Sequence, residues 1–256
     1  MPTTNHYGCL RSAPDPRDHA YTPPRTRATY PASVDLRGSM PPVWDQGKAN
    51  TCVPHGVDAI VLKAARLSWT PSHLYLYANA RRRDGRLPLA DTGCSIRTAI
   101  KAVVDAGPCR AEVWPYDLRR VNADPDTPAN FDARLHRPNT AHYACLSLLR
   151  DDSQLRYRLD DMKGCLAAGN PFVLGLPITD HLRLENGVLV PPSGPITGRE
   201  EAHCVAVVGY DDGRHCFRCR NSWGAGWGDA GSFWLPYTLA SDPLFAFDVW
   251  TIDGWS

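Results

Sequence analysis

From Cys52 onward, apolar residues recur at Val57, Ile60, Val61 and Ala64, the i, i+3, i+4, i+7 spacing of a helix with one buried face. Pro54 falls in the first turn, where a missing N–H does no harm, and Pro71 bounds the run. A second helix is expected from residue 72 through 82, with Arg81, Arg82 and Arg83 as a solvated end. A third has Ser95 as N-cap, Ile96, Ala99, Ile100 and Val103 on one face, and Gly107 with Pro108 as its stop. After about residue 110 comes a crossing segment carrying Pro115, Pro125, Pro128 and Pro138, then one more helix near 155–168 closed by Gly169.

Beyond that helix the period changes. Residues 172–176, 188–190, 204–210, 217–220, 232–235 and 247–252 are short apolar or alternating runs bounded by Gly, Pro and Asp, the pattern of strands. A helical lobe (about 31–115) followed by a β-rich lobe (about 116–256) gives an α+β, two-lobe architecture, and the cleft between lobes is the natural place for a ligand. Residues 1–30 stand apart. Pro2, Pro14, Pro16, Pro23 and Pro24 forbid a long helix there, and the intervening residues offer no core face, so an extended strap or a tail is expected.

Composition narrows the classes without choosing a function. A chain of 256 residues can bury a core without metal or disulfide help. Its 43% hydrophobic and 21% charged residues exclude a disordered or fibrous chain. A formal charge of +1 supplies no field that would select nucleic acid or an acidic membrane as partner. Only Lys48, Lys63, Lys101 and Lys163 among the basic residues are lysines, a bias of coding composition rather than of chemistry. The start of the chain lacks a basic-then-apolar run, and no stretch reaches the ~18 apolar residues of a membrane span. The expectation is a cytoplasmic protein, or one exported without a Sec signal. In that compartment the nine cysteines are expected to be mostly free and buried.

Three loci carry candidate chemistry. Asn221-Ser222-Trp223-Gly224-Ala225-Gly226-Trp227-Gly228 is a Gly-rich turn after a strand, in which a tryptophan can shield a polar side chain from water. Asp45-Gln46-Gly47-Lys48-Ala49-Asn50-Thr51-Cys52 feeds a helix whose first residue is a cysteine, where unpaired N–H groups favour a thiolate. Gln46 there is a neutral donor suited to an oxyanion. His203 opens the apolar run Cys204-Val205-Ala206-Val207-Val208-Gly209-Tyr210. Each alone has a bland reading: a packed Gly-Trp hairpin, a buried cysteine, a structural histidine. Together they supply a thiol, an imidazole to take its proton, and a side-chain acceptor to fix the imidazole's tautomer.

In order and context these loci resemble the papain-like cysteine peptidases, C1-type and of the bacterial kind, in which QGxxxxC, a histidine before an apolar strand, and NSWGxGWG follow one another. The likeness begins at Pro31-Ala32-Ser33-Val34-Asp35-Leu36-Arg37, similar to the start of mature enzymes, and spans residues 31 to 256. It implies a papain-like two-lobe fold, a peptide or protein substrate, and no cofactor or metal. It implies that Cys52 attacks a carbonyl, His203 shuttles the proton, Asn221 accepts from His203, and Gln46 with the Cys52 amide holds the oxyanion. Trp223 would cover the Asn221 to His203 bond, and Gly93, in Asp91-Thr92-Gly93-Cys94-Ser95-Ile96-Arg97, would offer backbone groups to an extended peptide.

There are departures. Ala49 stands where many relatives carry a cysteine, so a common disulfide of the family is absent, and Val53-Pro54-His55 follows the nucleophile in place of the usual residues. His55 lies near Cys52 in sequence, but a helix starting at Cys52 aims it away. Alternatives on the same scaffold are an acyltransferase or deamidase and a catalytically silent peptide-binding module. A zinc site from Cys204, His215, Cys216 and Cys219 is disfavoured, because strand alternation sends neighbouring thiols to opposite faces. Residues 1–30 are too short for the large helical prodomain of the family. As a proline-stiffened strap they could lie along the cleft and hinder substrate, or pack elsewhere, and both readings stay open.

Overall fold

Helices with one apolar stripe and strands that alternate need a common surface to cover, and here it is the two faces of one large sheet. The computed structural model describes residues 7–22, 30–148, 150–151, 156–178, 182–198 and 200–256. In chain order the helical half holds β1 (Cys9–Leu10), β2 (Ser33–Asp35), α1 (Cys52–Ala64), α2 (His73–Arg83), β3 (Cys94–Ser95), α3 (Ile96–Ala106) and α4 (Thr127–Leu135). The strand-rich half holds β4 (Ala141–Cys145), β5 (Arg150–Asp151), β6 (Arg156–Tyr157), α5 (Leu159–Ala167), β7 (Phe172–Pro177), β8 (Leu184–Glu185) and β9 (Val188–Leu189). It closes with β10 (Ala202–Asp211), β11 (Cys216–Arg220), β12 (Ser232–Pro236), α6 (Tyr237–Ala240) and β13 (Phe247–Trp255).

The sheet runs β4-β13-β7-β10-β11-β12-β9-β8, with β2 added beside β10. Alternation along its central strands separates two cores. Val173 on β7 and Cys204, Ala206 and Val208 on β10 face the helices α1–α3, together with Trp250 and Ile252 of β13. Phe172, Leu174, Val205 and Val207 face the other way, onto Met162 and Leu166 of α5 and onto Phe217, Phe233 and Leu235. This is the mixed α+β architecture that the pattern of apolar residues predicts.

The helix caps follow the sequence. Ser72 accepts from the Tyr75 amide and Ser95 from the Thr98 amide, each satisfying a donor the helix leaves unpaired. Helix α1 stops at Ala64, well before Pro71, because Arg66 turns the chain with φ 52°. Helix α4 lies in the crossing segment where no helix is expected; Pro128 sits in its first turn behind an Asp126 cap and so starts a helix instead of breaking one. All nine cysteines are free and buried. Among the described residues, no three His, Cys, Asp or Glu side chains group as metal ligands, and no helix is long and apolar enough to cross a membrane.

Of the N-terminal extension, residues 7–22 are described, and 1–6 and 23–29 lie outside the described residues. The described stretch is tied down along its length. Tyr21 is buried in the second core and its amide donates to the Cys145 carbonyl at 3.1 Å while the Cys145 amide donates to the His19 carbonyl at 2.8 Å, Arg97 binds Asp18 at 2.8 Å, and the Ser12 amide donates to Asp248 at 2.7 Å.

Candidate active site

Helix α1 is buried from Cys52 to Val61, running between α2 and α3 on one side and the sheet on the other. Its closeness to the sheet has a local cause. A Cβ at Gly56 would stand 3.0 Å from the Cys204 sulfur and 3.3 Å from Val173, so only glycine lets the helix pack this near β10. The first residue of α1, Cys52, thereby comes to rest with its sulfur against the backbone N–H groups of Cys204, Gly8 and Val53. Cys204 directly follows His203, so the thiol lies beside the imidazole-bearing residue.

His203 sits at the start of β10, in register with Leu176 of β7. Its Nε2 donates to the Oδ1 of Asn221 at 2.7 Å. Asn221 follows the last residue of β11, and the Ser222 amide donates to the same Oδ1 at 2.8 Å, which fixes which end of the amide faces the imidazole. With Nε2 protonated, Nδ1 is the bare nitrogen. The Trp223 ring lies over His203, with centroids 4.7 Å apart and planes 31° from parallel, and Trp227 meets Trp223 edge-on at 5.0 Å. The Trp223 ring thus covers the imidazole that bonds Asn221, with Trp227 packed against it.

Gln46 is fully buried and held at both polar ends: its Nε2 donates to the Ala49 carbonyl at 2.8 Å, and its Oε1 accepts from the Ser222 hydroxyl at 2.6 Å. The Gln46 amide donates to the Ser222 carbonyl at 2.8 Å, and Gly224 to the Trp44 carbonyl at 3.0 Å. Two segments distant in sequence are thus laced together around one serine. Gly93 stands on the helical side at φ 78°, donating its N–H to the Tyr77 hydroxyl at 2.7 Å.

Gln46, Cys52, His203, Asn221 and Trp223 therefore converge, with Gly93 on the facing wall. Sequence reasoning missed Ser222, which lies inside the Gly-Trp turn and holds both Gln46 and Asn221. It also missed Thr51 and Tyr116, whose hydroxyls pair at 2.6 Å while Tyr116 donates to the Gln46 carbonyl at 2.7 Å. His55 does not face the thiol: its Nδ1 bonds the Thr51 carbonyl at 2.8 Å, one helical turn back.

The N-terminal strap crosses this site. Strand β1 pairs in parallel with β3, Cys9 opposite Cys94, and the Cys94 amide donates to the Gly8 carbonyl at 3.0 Å. The Tyr7 ring meets His203 at 5.9 Å and Trp223 at 6.2 Å, both edge-on. Cys52 and His203 are left with no exposed surface. Exclusion of water pushes the Cys52 thiol up to about 12; the nearby Cys9 thiol adds to the rise, and the three N–H groups at the sulfur oppose it. Burial lowers His203 to about 4, against the pull of the Asn221 hydrogen bond. A thiolate favoured by the helix N-terminus is the expectation from sequence. In this covered form desolvation outweighs that effect, and the pair is neutral thiol and neutral imidazole.

A fold with a helical wall, a sheet wall and this cysteine, histidine and asparagine between them defines a thiol protease of the papain kind. The sequence profile described as "Papain family cysteine protease" matches residues 91–240. The chain belongs to the papain family of cysteine proteases. It is similar to xylellain, a cysteine protease from Xylella fastidiosa, whose crystal structure shares 31% identity at a TM-score of 0.80, over 97% of this chain and 96% of that one. It is 26% identical over 277 residues to an uncharacterised peptidase C1-like protein of Acanthamoeba polyphaga mimivirus, spanning 97% of this chain and 87% of the relative. Digestive procathepsin L2 of Tenebrio molitor shares the fold at a TM-score of 0.71 with 19% identity, over 98% of this chain and 78% of that one.

With Gln46 as the oxyanion donor that the resemblance implies, Gln46→Ala should reduce kcat by about 10²–10³ with a smaller change in KM, the usual effect of removing one such donor. Steady-state kinetics on a peptide substrate checks this. An equal loss in a variant that melts far below the parent would mean that Gln46 only braces the loop through Ala49 and Ser222.

Proposed function

We propose that the chain hydrolyses peptide bonds through a thioester on Cys52, with His203 as general acid and base. The observation that carries the reading is the shielded His203–Asn221 hydrogen bond beside the thiol at the head of α1. Because the Nε2 proton is committed to Asn221, Nδ1 is the nitrogen that takes the Cys52 proton. The sulfur adds to the substrate carbonyl carbon, and the oxyanion is met by the Cys52 amide and Gln46. The C–N bond breaks as His203 returns that proton to the leaving amine. Water then attacks the thioester, giving its proton to Nδ1, and the carboxylate and thiol are released. Gly93, its own N–H held by the Tyr77 hydroxyl, stands in the wall that offers main-chain groups to an extended peptide, the Cys94 amide foremost, and the strap takes that place in the covered form.

Residues 1–30 are proposed to keep the enzyme latent through their segment 7–10. The thiol at about 12 and the imidazole at about 4 stand in the reverse of the order an ion pair requires. Both shifts are led by desolvation, so lifting the strap rehydrates the pair and restores the thiolate–imidazolium form.

With the strap displaced, kcat/KM is expected to follow a bell against pH. Activity falls on the acid side as the thiolate is protonated and on the basic side as His203 loses its proton. Cleavage of a diverse peptide library, with His203→Ala as control, tests the function itself. Aminolysis products in place of free carboxylates would favour an acyltransferase. A rate that simply climbs through the ordinary thiol range near ~8.5 would argue against an ion pair.

A further inference from the structure

His55 is a buried titratable residue of the Cys52 helix to which the proposed chemistry gives no task. It is buried inside the protein, three residues beyond the nucleophile. Its Nδ1 contacts the Thr51 carbonyl at 2.8 Å, and a carbonyl can only accept, so Nδ1 carries the hydrogen. Burial, reinforced by the neighbouring His73, holds the ring well below the usual histidine range, so it is neutral and Nε2 is a bare acceptor.

Asn221 presents the complementary atom. Its Oδ1 takes both the His203 Nε2–H and the Ser222 amide, which turns Nδ2, a pure donor, to the other side. His55 Nε2 and Asn221 Nδ2 are both buried and have no hydrogen-bonding partner among the described residues. Both residues line the same small cavity, which has about 10 Å³ of space for a water centre, the size of a single-water site. An unmatched buried polar atom costs about 1–3 kcal/mol, so an acceptor and a donor sharing one such space call for a common partner.

We infer that His55 is a positioning residue for Asn221, acting through one buried water that accepts from Asn221 Nδ2–H and donates to His55 Nε2. The inference rests on the proposed role of His203 and Asn221. Its consequence is orientational. An asparagine amide turned by 180° sets its NH₂ against the His203 Nε2–H, donor to donor, and the imidazole loses its tautomer. The Ser222 amide opposes that turn at the oxygen end, and the water, with one hydrogen committed to His55, accepts from Nδ2–H and ties down the other end; after a turn it would donate to both neighbours and accept from neither.

The other groups around His55 are already engaged. His73 stacks on it at 4.0 Å and is itself bonded to Asp58 at 2.8 Å. The Arg220 guanidinium, on the cavity wall, donates to the carbonyls of Pro41 and Pro42. Trp44 and Tyr116 meet the ring through their edges.

The test is ¹⁵N-histidine NMR of the full chain at pH 7 for wild type, His55→Phe and His55→Gln. Phenylalanine keeps the ring volume without an acceptor; glutamine carries an amide oxygen out to about the position of Nε2. The expected result is a neutral, Nδ1-protonated His55 in wild type. In His55→Phe the His203 Nε2–H should exchange with solvent about fivefold faster or more, with some Nδ1-protonated His203 appearing, and His55→Gln should restore it. An Nε2-protonated His55 in wild type overturns the inference, since Nε2 could then not accept from the water, and this reading needs no variant to fold. It is equally overturned if His203 exchange is the same in all three proteins, or if His55→Gln is as impaired as His55→Phe. None of these readouts requires turnover, so a failure to cleave peptides would count against the proposed function and not against this positioning role.

Discussion

Replacing Cys52 with alanine is expected to lower kcat by roughly 10⁵–10⁶, to the level of whatever binding and oxyanion stabilisation remain. In the proposed mechanism the thiol supplies the atom to which the acyl group is bound, and no neighbouring cysteine shares its setting. Cys9, Cys94 and Cys204 lie close by and are raised by burial as Cys52 is, but none opens a helix. Fold integrity should survive. The lost sulfur leaves a small cavity at the end of α1, worth about 1 kcal/mol, so the melting temperature should move by only about 2–4 °C. Kinetics and calorimetry on the same preparation separate the two effects. Turnover persisting in a pure Cys52→Ala protein would place the chemistry elsewhere.

Gly8→Ala is expected to do the opposite and activate the enzyme. A Cβ at residue 8 would stand 2.0 Å from the Asn50 carbonyl oxygen and 2.6 Å from its carbon, both backbone atoms that cannot give way. From the other wall, a Cβ at Gly93 would stand 2.3 Å from the Gly8 oxygen, so the strap threads a slot with no spare width. Lifting residues 7–10 should raise kcat/KM by about tenfold or more, the factor released by a strap that holds the closed state by ~1.4 kcal/mol. Alkylation of Cys52 by iodoacetamide should quicken in parallel, because the thiol returns toward its ordinary range. Removing residues 1–10 should behave like Gly8→Ala. Removing 1–30 should also lower the melting temperature, since it takes Tyr21 out of the second core and Asp18 away from Arg97. A Gly8→Ala protein that melts normally and shows unchanged kcat/KM and alkylation would remove the inhibitory role.

Much of this was legible in the sequence because it is local. Ser72 and Ser95 cap their helices for reasons contained in a few residues, and alternation along β7 and β10 announces a sheet with two buried faces. Pro128 misled because a proline signals both the end of one element and the first turn of another, and the Asp126 cap decides which. Strand β4 pairs with β13 more than a hundred residues later, and β2 adds to β10; neither partnership leaves a local trace. At the site, residue types and order pointed to Cys52, His203, Asn221, Gln46, Trp223 and Gly93. Their joint support by Ser222, and the passage of Tyr7 to Cys9 over the thiol, depend on segments meeting in space. The helix N-terminus suggested a lowered thiol; burial of Cys52 reverses that, and no short window of sequence reports desolvation.

That Cys52 carries the acyl group is tested by trapping the acyl-enzyme intermediate. The Gly8→Ala protein would be mixed with an activated peptide ester, quenched in acid within the burst, digested and sequenced by tandem mass spectrometry. The account predicts one acyl group per chain, located on Cys52, and no adduct when Cys52 is also changed to alanine. An acyl group found on any other residue, or full hydrolysis of the ester by the chain lacking Cys52, would contradict it.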